Sequence, residues 1–210
     1  MSGYAALSCR CQNCNEFFLV KRLMENVINL DKSENEDFFN HEVNKVKCKK
    51  CMSEFTFELP MVIFSTKYNF AIKVSPTLNP ENGIESYVTP HYLVCSGFRF
   101  REVTYQIEAV EKAKIFLDGF DDRYIEYVKL KNFEDKDATP FDTNNVVYDH
   151  SDPHNLYFKK YDSDNNVTGN YTVPVSESDI PGNIYADITT NDKWKIINRY
   201  TLKKYITNGG

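Results

Sequence analysis

"LSCRCQNCNEF" (residues 7–17) and "VKCKKCMSEF" (residues 46–55) gather five of the chain's six cysteines into two short clusters. Cys11 and Cys14 form one C-x2-C knuckle, and Cys48 and Cys51 form a second. A tight turn lets both thiols of such a knuckle reach one ion, so two knuckles supply the four thiolates of a tetrahedral zinc site. A filled four-thiolate shell has no open position for water or substrate, which makes the expected zinc structural and not catalytic. Two disulfides would use the same residues, but nothing in the sequence indicates export, and clustered thiols in a reducing compartment more often hold metal. Iron–sulfur ligation is a further, less favoured reading. The interval from Cys14 to Cys48 exceeds the roughly 15–20 residues between knuckles of common zinc ribbons, so a small helical or looped insertion is expected there.

Two cysteines stand outside the expected ligand set. Cys9 is spaced C-x4-C from Cys14, unlike the second knuckle, and is expected on the entering strand outside the metal shell. Cys95, in the apolar run "HYLVCSGF", reads as a small buried hydrophobe.

Outward from the knuckles, "CMSEFTFELP" alternates Phe55, Phe57 and Leu59 with Glu54, Thr56 and Glu58, the period of a half-buried strand. "MVIFS" and "NFAIKVS" continue as strands joined through "TKYN", "TLNPENG" reads as a loop, and "SYVTPHYLVCSGFRF" supplies another strand or two. From about Arg101 the period becomes helical, with Val103, Ile107, Val110 and Leu117 on one face, Glu108 and Lys112 as an i, i+4 pair, and Gly119 at the helix end. Asp121 and Asp122 open a second helix, where their charge suits the N-terminal dipole, with Tyr124, Ile125 and Val128 inward. "DGFDDR" is therefore a helix–turn–helix joint, and turn and capping chemistry accounts for its carboxylates.

The run from "LSCRCQNC" through "INLDKSENEDFFNHEVNKVKCKKCMSEFTFELPMVIFSTKYNFAIKVSP" resembles the bacterial CpXC domain, whose two knuckles precede a pair of strands. "REVTYQIEAVEKAKIFLDGFDDRYIEYVKLK" is similar to the part that follows in that family, with its EK-x-x-I-x-x-DG-x-DD-R pattern. The resemblance spans about residues 7–131, and the ending "WKIINRYTLKKYI" is similar to the family's closing helix. The proline of the family motif is replaced by Gln12 and Lys49, which removes a preset φ but leaves all four thiols in place. The resemblance implies a zinc-bearing bacterial domain and carries no activity with it.

The polar segment "NFEDKDATPFDTNN" marks a boundary, giving a zinc-binding domain over 7–131 and an extension over 132–210 packed on it. "NLYFKKYDSDNNVTGNYTVPV" reads as a hairpin with Leu156, Phe158, Tyr171 and Val173 on its strands. Its loop superficially matches a calcium loop from Asp162, but Val167 stands at the glycine position and Val173 at the bidentate-glutamate position. His150 and His154 are separated by Pro153, which spoils the helix that would align them on a metal. "DKWKIINRYTLKKYI" reads as an amphipathic closing helix, and Gly209 and Gly210 as a frayed end. The expected class is α+β: a zinc-anchored antiparallel sheet, a helical pair, and a C-terminal hairpin plus helix.

A formal charge of −5 removes the global basic surface of a general nucleic-acid binder. Neither a signal peptide nor a membrane span is read, so the cytoplasm is the expected compartment. Three functions compete. The favoured one is a zinc-stabilised module that binds a protein partner through Tyr157, Tyr161, Tyr171 and Trp194, aromatic residues being frequent interface anchors. The second is nucleic-acid binding through Lys47, Lys49 and Lys50, although the second helix begins with two carboxylates where phosphate contacts would be needed. The third is an enzyme, for which His91, Asp121 and Arg123 are the residues to test, with no phosphate loop, zinc-protease helix or nucleophile elbow in support.

Overall fold

The computed structural model describes residues 4–23, 26–32, 35–76, 86–87, 97–133, 146–162, 166–176, 193–198 and 201–203. In chain order the strands are β1 (Tyr4–Arg10), β2 (Phe17–Leu23), β3 (Asn26–Asn29), β4 (Lys45–Lys47), β5 (Glu54–Thr56), β6 (Met61–Ser65), β7 (Phe70–Val74), β8 (Ser86–Tyr87), β9 (Arg99–Val103), β10 (Val146–Ser151), β11 (Asn155–Tyr161), β12 (Val167–Pro174) and β13 (Lys193–Trp194). The helices are α1 (Glu36–Phe39), α2 (Gln106–Leu117) and α3 (Asp122–Phe133), with a further helical stretch at 201–203. The class is α+β, as expected.

Two sheets enclose the helical pair. The larger has the order β3-β6-β7-β9, with β6 and β7 antiparallel and both outer pairs parallel. The β6–β7 hairpin turns through residues 66–69, as its sequence predicts, and the Asp31 carboxylate holds the turn by accepting from Ser65 Oγ and from the Thr66 backbone N–H and hydroxyl. On one face Met61, Ile63, Phe70, Ile72, Val74 and Val103 enter a core with Ala109, Val110, Ala113, Ile115 and Phe116 of α2. The second sheet, β10-β11-β12, sends Val146, Tyr148, Leu156 and Phe158 into that same core. The α2 helix is thus buried from two sides. Ile115 and Phe116 are fully buried although they lie off the face shared by Ile107, Val110 and Leu117, so a single amphipathic stripe underdescribes it.

Val103 ends β9, and α2 begins only at Gln106. Val103 shares the helical spacing of Ile107, Val110 and Leu117 but belongs to the strand, because the chain changes from strand to helix within that run. Glu108 does not pair with Lys112. It folds back to accept from the Thr104 and Tyr105 backbone N–H groups (2.8 and 3.1 Å), capping the helix. Lys112 turns instead toward α3. The joint itself is as read: Gly119 takes φ +85, which suits glycine, and Asp121 Oδ1 accepts from the Arg123 backbone N–H at 2.9 Å.

The far face of the larger sheet is partly covered by Trp194. This residue sits on β13, paired with β8, not on a closing helix; its ring meets Phe100 edge-on at 5.4 Å and packs with Ala71 and Phe98. Lys195 continues the pairing onto β9 through hydrogen bonds with Phe100 and Glu102. Of the expected closing helix, the described residues retain 201–203, where Leu202 is buried. The C-terminal hairpin is β11–β12, and β10 adds a third strand to it beyond the expected pair. His150 lies on β10, stacked on Tyr157 at 4.4 Å, while His154 is exposed in the following turn, so the two do not converge. His91, Cys95 and the loop "TLNPENG" lie outside the described residues.

Candidate metal centre

The knuckles sit at the tips of two separate two-stranded ribbons, β1–β2 and β4–β5, not on the larger sheet. The two tips have the same backbone. The Cys11 N–H donates to Glu16 O (2.8 Å) and the Asn15 N–H to Cys11 O (2.9 Å); the Cys48 N–H donates to Ser53 O (2.8 Å) and the Met52 N–H to Cys48 O (2.9 Å). In each, the residue after the second cysteine is left-handed, Asn15 at φ +57 and Met52 at φ +62. These are one motif used twice, and the strand registers agree: Arg10 opposite Phe17 matches Lys47 opposite Glu54, Cys9 opposite Phe18 matches Val46 opposite Phe55, and Ser8 opposite Leu19 matches Lys45 opposite Thr56.

This equivalence explains Cys9. It is the counterpart of Val46, and both are buried on the inner face of their ribbon. Cys9 therefore has the place of a hydrophobic side chain, and it is absent from the sulfur cluster.

The ribbons meet tip to tip. Cys11 Sγ lies 3.5 Å from Cys51 Sγ and Cys14 Sγ lies 3.6 Å from Cys48 Sγ, with all four sulfurs within 4.8 Å of one another. These separations far exceed the roughly 2.05 Å of a disulfide. They bracket the edge of about 3.8 Å that follows for a regular tetrahedron with metal–sulfur bonds of about 2.3 Å. The four side chains thus fit a tetrahedral thiolate site, and they could hold a metal ion.

Ser53, which the sequence reading did not single out, helps to order the thiols. Its hydroxyl lies 3.2 Å from Cys11 Sγ and 3.0 Å from Cys51 Sγ. Cys11 is lowered to about 6, first by the Ser53 hydroxyl and then by the Cys14 backbone N–H, and Cys51 is lowered by the Ser53 hydroxyl and N–H. For Cys14 the Glu16 backbone N–H favours the thiolate, but desolvation and the neighbouring sulfurs outweigh it and push the thiol up to about 12. Four adjacent sulfurs cannot all ionise without a cation among them. That is the electrostatic reason such a cluster takes a metal.

Outside the sulfurs, Phe18 meets Phe55 edge-on at 6.0 Å, and Lys50 Nζ bridges to Glu16 at 2.8 Å across the two knuckles. The signal for Phe18 and Phe55 was in the sequence: each stands four residues after the second cysteine of its knuckle. Met52 is the strained member, since an unbranched but bulky residue sits where Asn or Gly is favoured. Met52→Asn is expected to raise stability by about 0.5–1 kcal/mol. A thermal melt of the metal-loaded variant that fails to rise would refute that.

The remaining expected site residues are dispersed. Lys47 Nζ pairs with Glu54 at 3.6 Å and Lys50 with Glu16, while Lys49 is exposed. Tyr157 is half-buried beneath His150 and donates its hydroxyl to Asp152 at 2.6 Å; Tyr161 is half-buried; Tyr171 is exposed and leans on Phe133. Trp194 is a core residue. Asp121 and Arg123 pair with each other.

Among the described residues no helix is long and apolar enough to cross a membrane. Neither the curated proteins nor the solved structures contain a match to this chain. The family model described as CpXC protein matches residues 9–129, from the strand that enters the first knuckle to the last turns of α3. With both knuckles converging inside that span, the chain belongs to the CpXC family.

Proposed function

We propose that this is a non-catalytic, zinc-stabilised interaction module of a bacterial cytoplasmic protein. The observation that carries the reading is the four-sulfur cluster at the meeting point of two ribbons. Cys11, Cys14, Cys48 and Cys51 would hold zinc with no position left for a substrate, and zinc there would supply cross-linking of two hairpins that are individually too small to be stable. Zinc is favoured over harder cations because the donors are all thiolates. The mutual engagement of Asp121 and Arg123 speaks against the enzyme reading, since neither presents an uncommitted group. The nucleic-acid reading is weakened by Glu54 and Glu16, which partly neutralise Lys47 and Lys50.

The test is affinity capture of the untagged-equivalent chain from its source cell with parallel elemental analysis. A stoichiometric protein partner and about one zinc per chain are expected. Recovery of nucleic acid as the stoichiometric companion, lost steeply with added salt, would favour the alternative. Metal-free protein of native fold would remove the basis of the reading.

A further inference from the structure

We infer that the outer face of the β1–β2 ribbon is the docking surface of this module, and that its occupant is an acidic segment of a partner protein bearing apolar side chains. The inference rests on the reading of the chain as an interaction module and says where, and for what chemistry, it interacts.

Next to the knuckle the face is exposed on both strands. Ala6, Ser8 and Arg10 of β1 stand opposite Lys21, Leu19 and Phe17 of β2, and all six are exposed. Phe17 is 66% and Leu19 72% accessible, so two large apolar side chains lie side by side in water. Exposing them forgoes the stabilisation that burial of such side chains normally gives. The Arg10 guanidinium lies over the Phe17 ring at 5.5 Å.

The other ribbon is an internal control. At the positions equivalent to Phe17 and Leu19 it carries Glu54 and Thr56, and at those equivalent to Arg10 and Ser8 it carries Lys47 and Lys45. The same metal-tipped hairpin is therefore built with a polar outer face when only folding is required. Phe17 and Leu19 are not there to hold the knuckle, because the inner residues Cys9 and Phe18 serve that purpose. Among the described residues β1 and β2 form a sheet only with each other. An extended segment can add to the edge of such a sheet through main-chain hydrogen bonds while side-chain anchors give selectivity.

Charge indicates the sign of the occupant. Residues 4–23 and 45–56 carry seven basic and two acidic side chains, a net +5, within a chain of net −5. Four thiolates around a divalent ion still leave this part positive. The rest of the chain is acidic on balance, which makes the ribbons the more favourable place for an acidic segment. Leucine beside phenylalanine favours a polypeptide over a nucleic acid, whose recognition uses aromatic stacking and gains little from an aliphatic side chain.

The test uses the full zinc-loaded chain and its Phe17→Ser/Leu19→Ser variant, which keeps the inner face and the cysteines. Both are panned against a display library of short random peptides, and an oligo-dT strand is titrated in parallel. Equal zinc content and equal melting temperature establish that the variant is folded. The expected result is enrichment on the parent of peptides that mix Asp or Glu with Leu, Phe or Trp. Synthetic copies should bind the variant about tenfold more weakly or worse, and Arg10→Glu should weaken them as well. Enriched peptides that bind parent and variant alike would overturn the assignment of the ribbon while leaving the interaction module standing. No enrichment on either protein would overturn both. Tighter binding of oligo-dT than of any peptide, abolished by the same substitutions, would give the face to nucleic acid. Dissociation of a parent dimer by the double substitution would give it to a second copy of the chain.

Discussion

Replacing Cys48 with serine is expected to cost the protein its metal and, with it, the order of both ribbons. Cys48 is buried and lies 3.6 Å from Cys14, so its loss opens one corner of the sulfur cluster and leaves a hydroxyl that is a poor ligand for zinc. Each ribbon is two-stranded, and such a hairpin is marginal alone in water. Besides the sulfur–sulfur approaches, the described tip-to-tip links include the Ser53 hydroxyl on Cys11, the Phe18–Phe55 contact and the Lys50–Glu16 pair, of which the last is exposed and contributes little. Structural zinc in small domains contributes apparent binding energies of roughly 10–16 kcal/mol, so a three-sulfur remnant should bind at least about a hundredfold more weakly. The α2–α3 core is built without the four cysteines and should survive. The expected result is therefore a two-part response: zinc content near zero, hydrogen exchange across residues 4–23 and 45–56 greatly accelerated, and exchange in α2 nearly unchanged. Chelation of the parent should give the same pattern. Cys9→Ser should leave zinc content at the parent level, because Cys9 occupies the place that Val46 fills in the other ribbon. Equal loss of zinc from the two serine variants would show that Cys9 is a ligand.

The convergence of the four thiols was legible because its chemistry is local. Two C-x2-C spacings are enough to specify thiols that converge, and the strand alternation after Cys51 is visible in Phe55 and Phe57 without reference to anything distant. The same localness made the β6–β7 hairpin and the Gly119 joint readable. What the sequence did not disclose was which elements share a surface. Phe55 alternates correctly, yet its strand pairs with β4 and not with β6, a choice made by the ribbon register and not by the pattern. Trp194 looked like one face of a helix because Trp194, Ile197 and Leu202 have helical spacing, but pairing with β8 and the pocket over Phe100 override the local preference. Duplication of the knuckle motif was available in principle from Phe18 and Phe55 at equal offsets, and reading it would have placed Cys9 without the structure. The ions between α2 and α3 were hardest to foresee. Asp122 reads as a helix-dipole residue, and only the approach of β9 makes it something else.

Asp122→Asn is expected to destabilise the fold by roughly 3–5 kcal/mol at neutral pH, because it strips the counter-charge from two buried cations. Arg101 donates to Asp122 through Nε at 2.7 Å and Nη2 at 2.8 Å, and Lys112 Nζ lies 3.2 Å away; Asp122 is wholly buried and Arg101 and Lys112 nearly so. Lys112 also reaches Glu126 at 3.1 Å, and Lys129 joins Glu126 to Glu111, whose carboxylate accepts from the Tyr148 backbone N–H at 2.7 Å. Three cations and three carboxylates thus tie β9, α2, α3 and β10 together with no net charge. Burial by itself would raise the Asp122 carboxyl, but Arg101 and then Lys112 hold it well below the usual carboxylate range; Glu126 is lowered in the same way, chiefly by Lys112. For Lys112 burial works downward, and Glu126 and Asp122 outweigh it to raise the ammonium above its usual range. A carboxylate depressed in the folded state contributes stability that is present above its unfolded pKa and lost as pH falls toward the folded one. A raised lysine contributes stability present below its unfolded pKa and lost as pH rises through the folded one. The network is therefore fully effective between about pH 4 and pH 10. Glu111 runs the other way, since burial raises it despite Lys129, so its protonation on the acid side relieves the fold and blunts the loss. Urea unfolding of parent and Asp122→Asn should then show a gap that is wide at pH 7 and narrows as the pH is lowered below about 4, where the parent loses the charge the variant never had. A gap under about 1 kcal/mol, or one that does not change with pH, would refute the argument. Replacing Arg101, Lys112, Asp122 and Glu126 together by apolar residues of similar size should cost less than Asp122→Asn alone, because it removes the buried cations along with their partners.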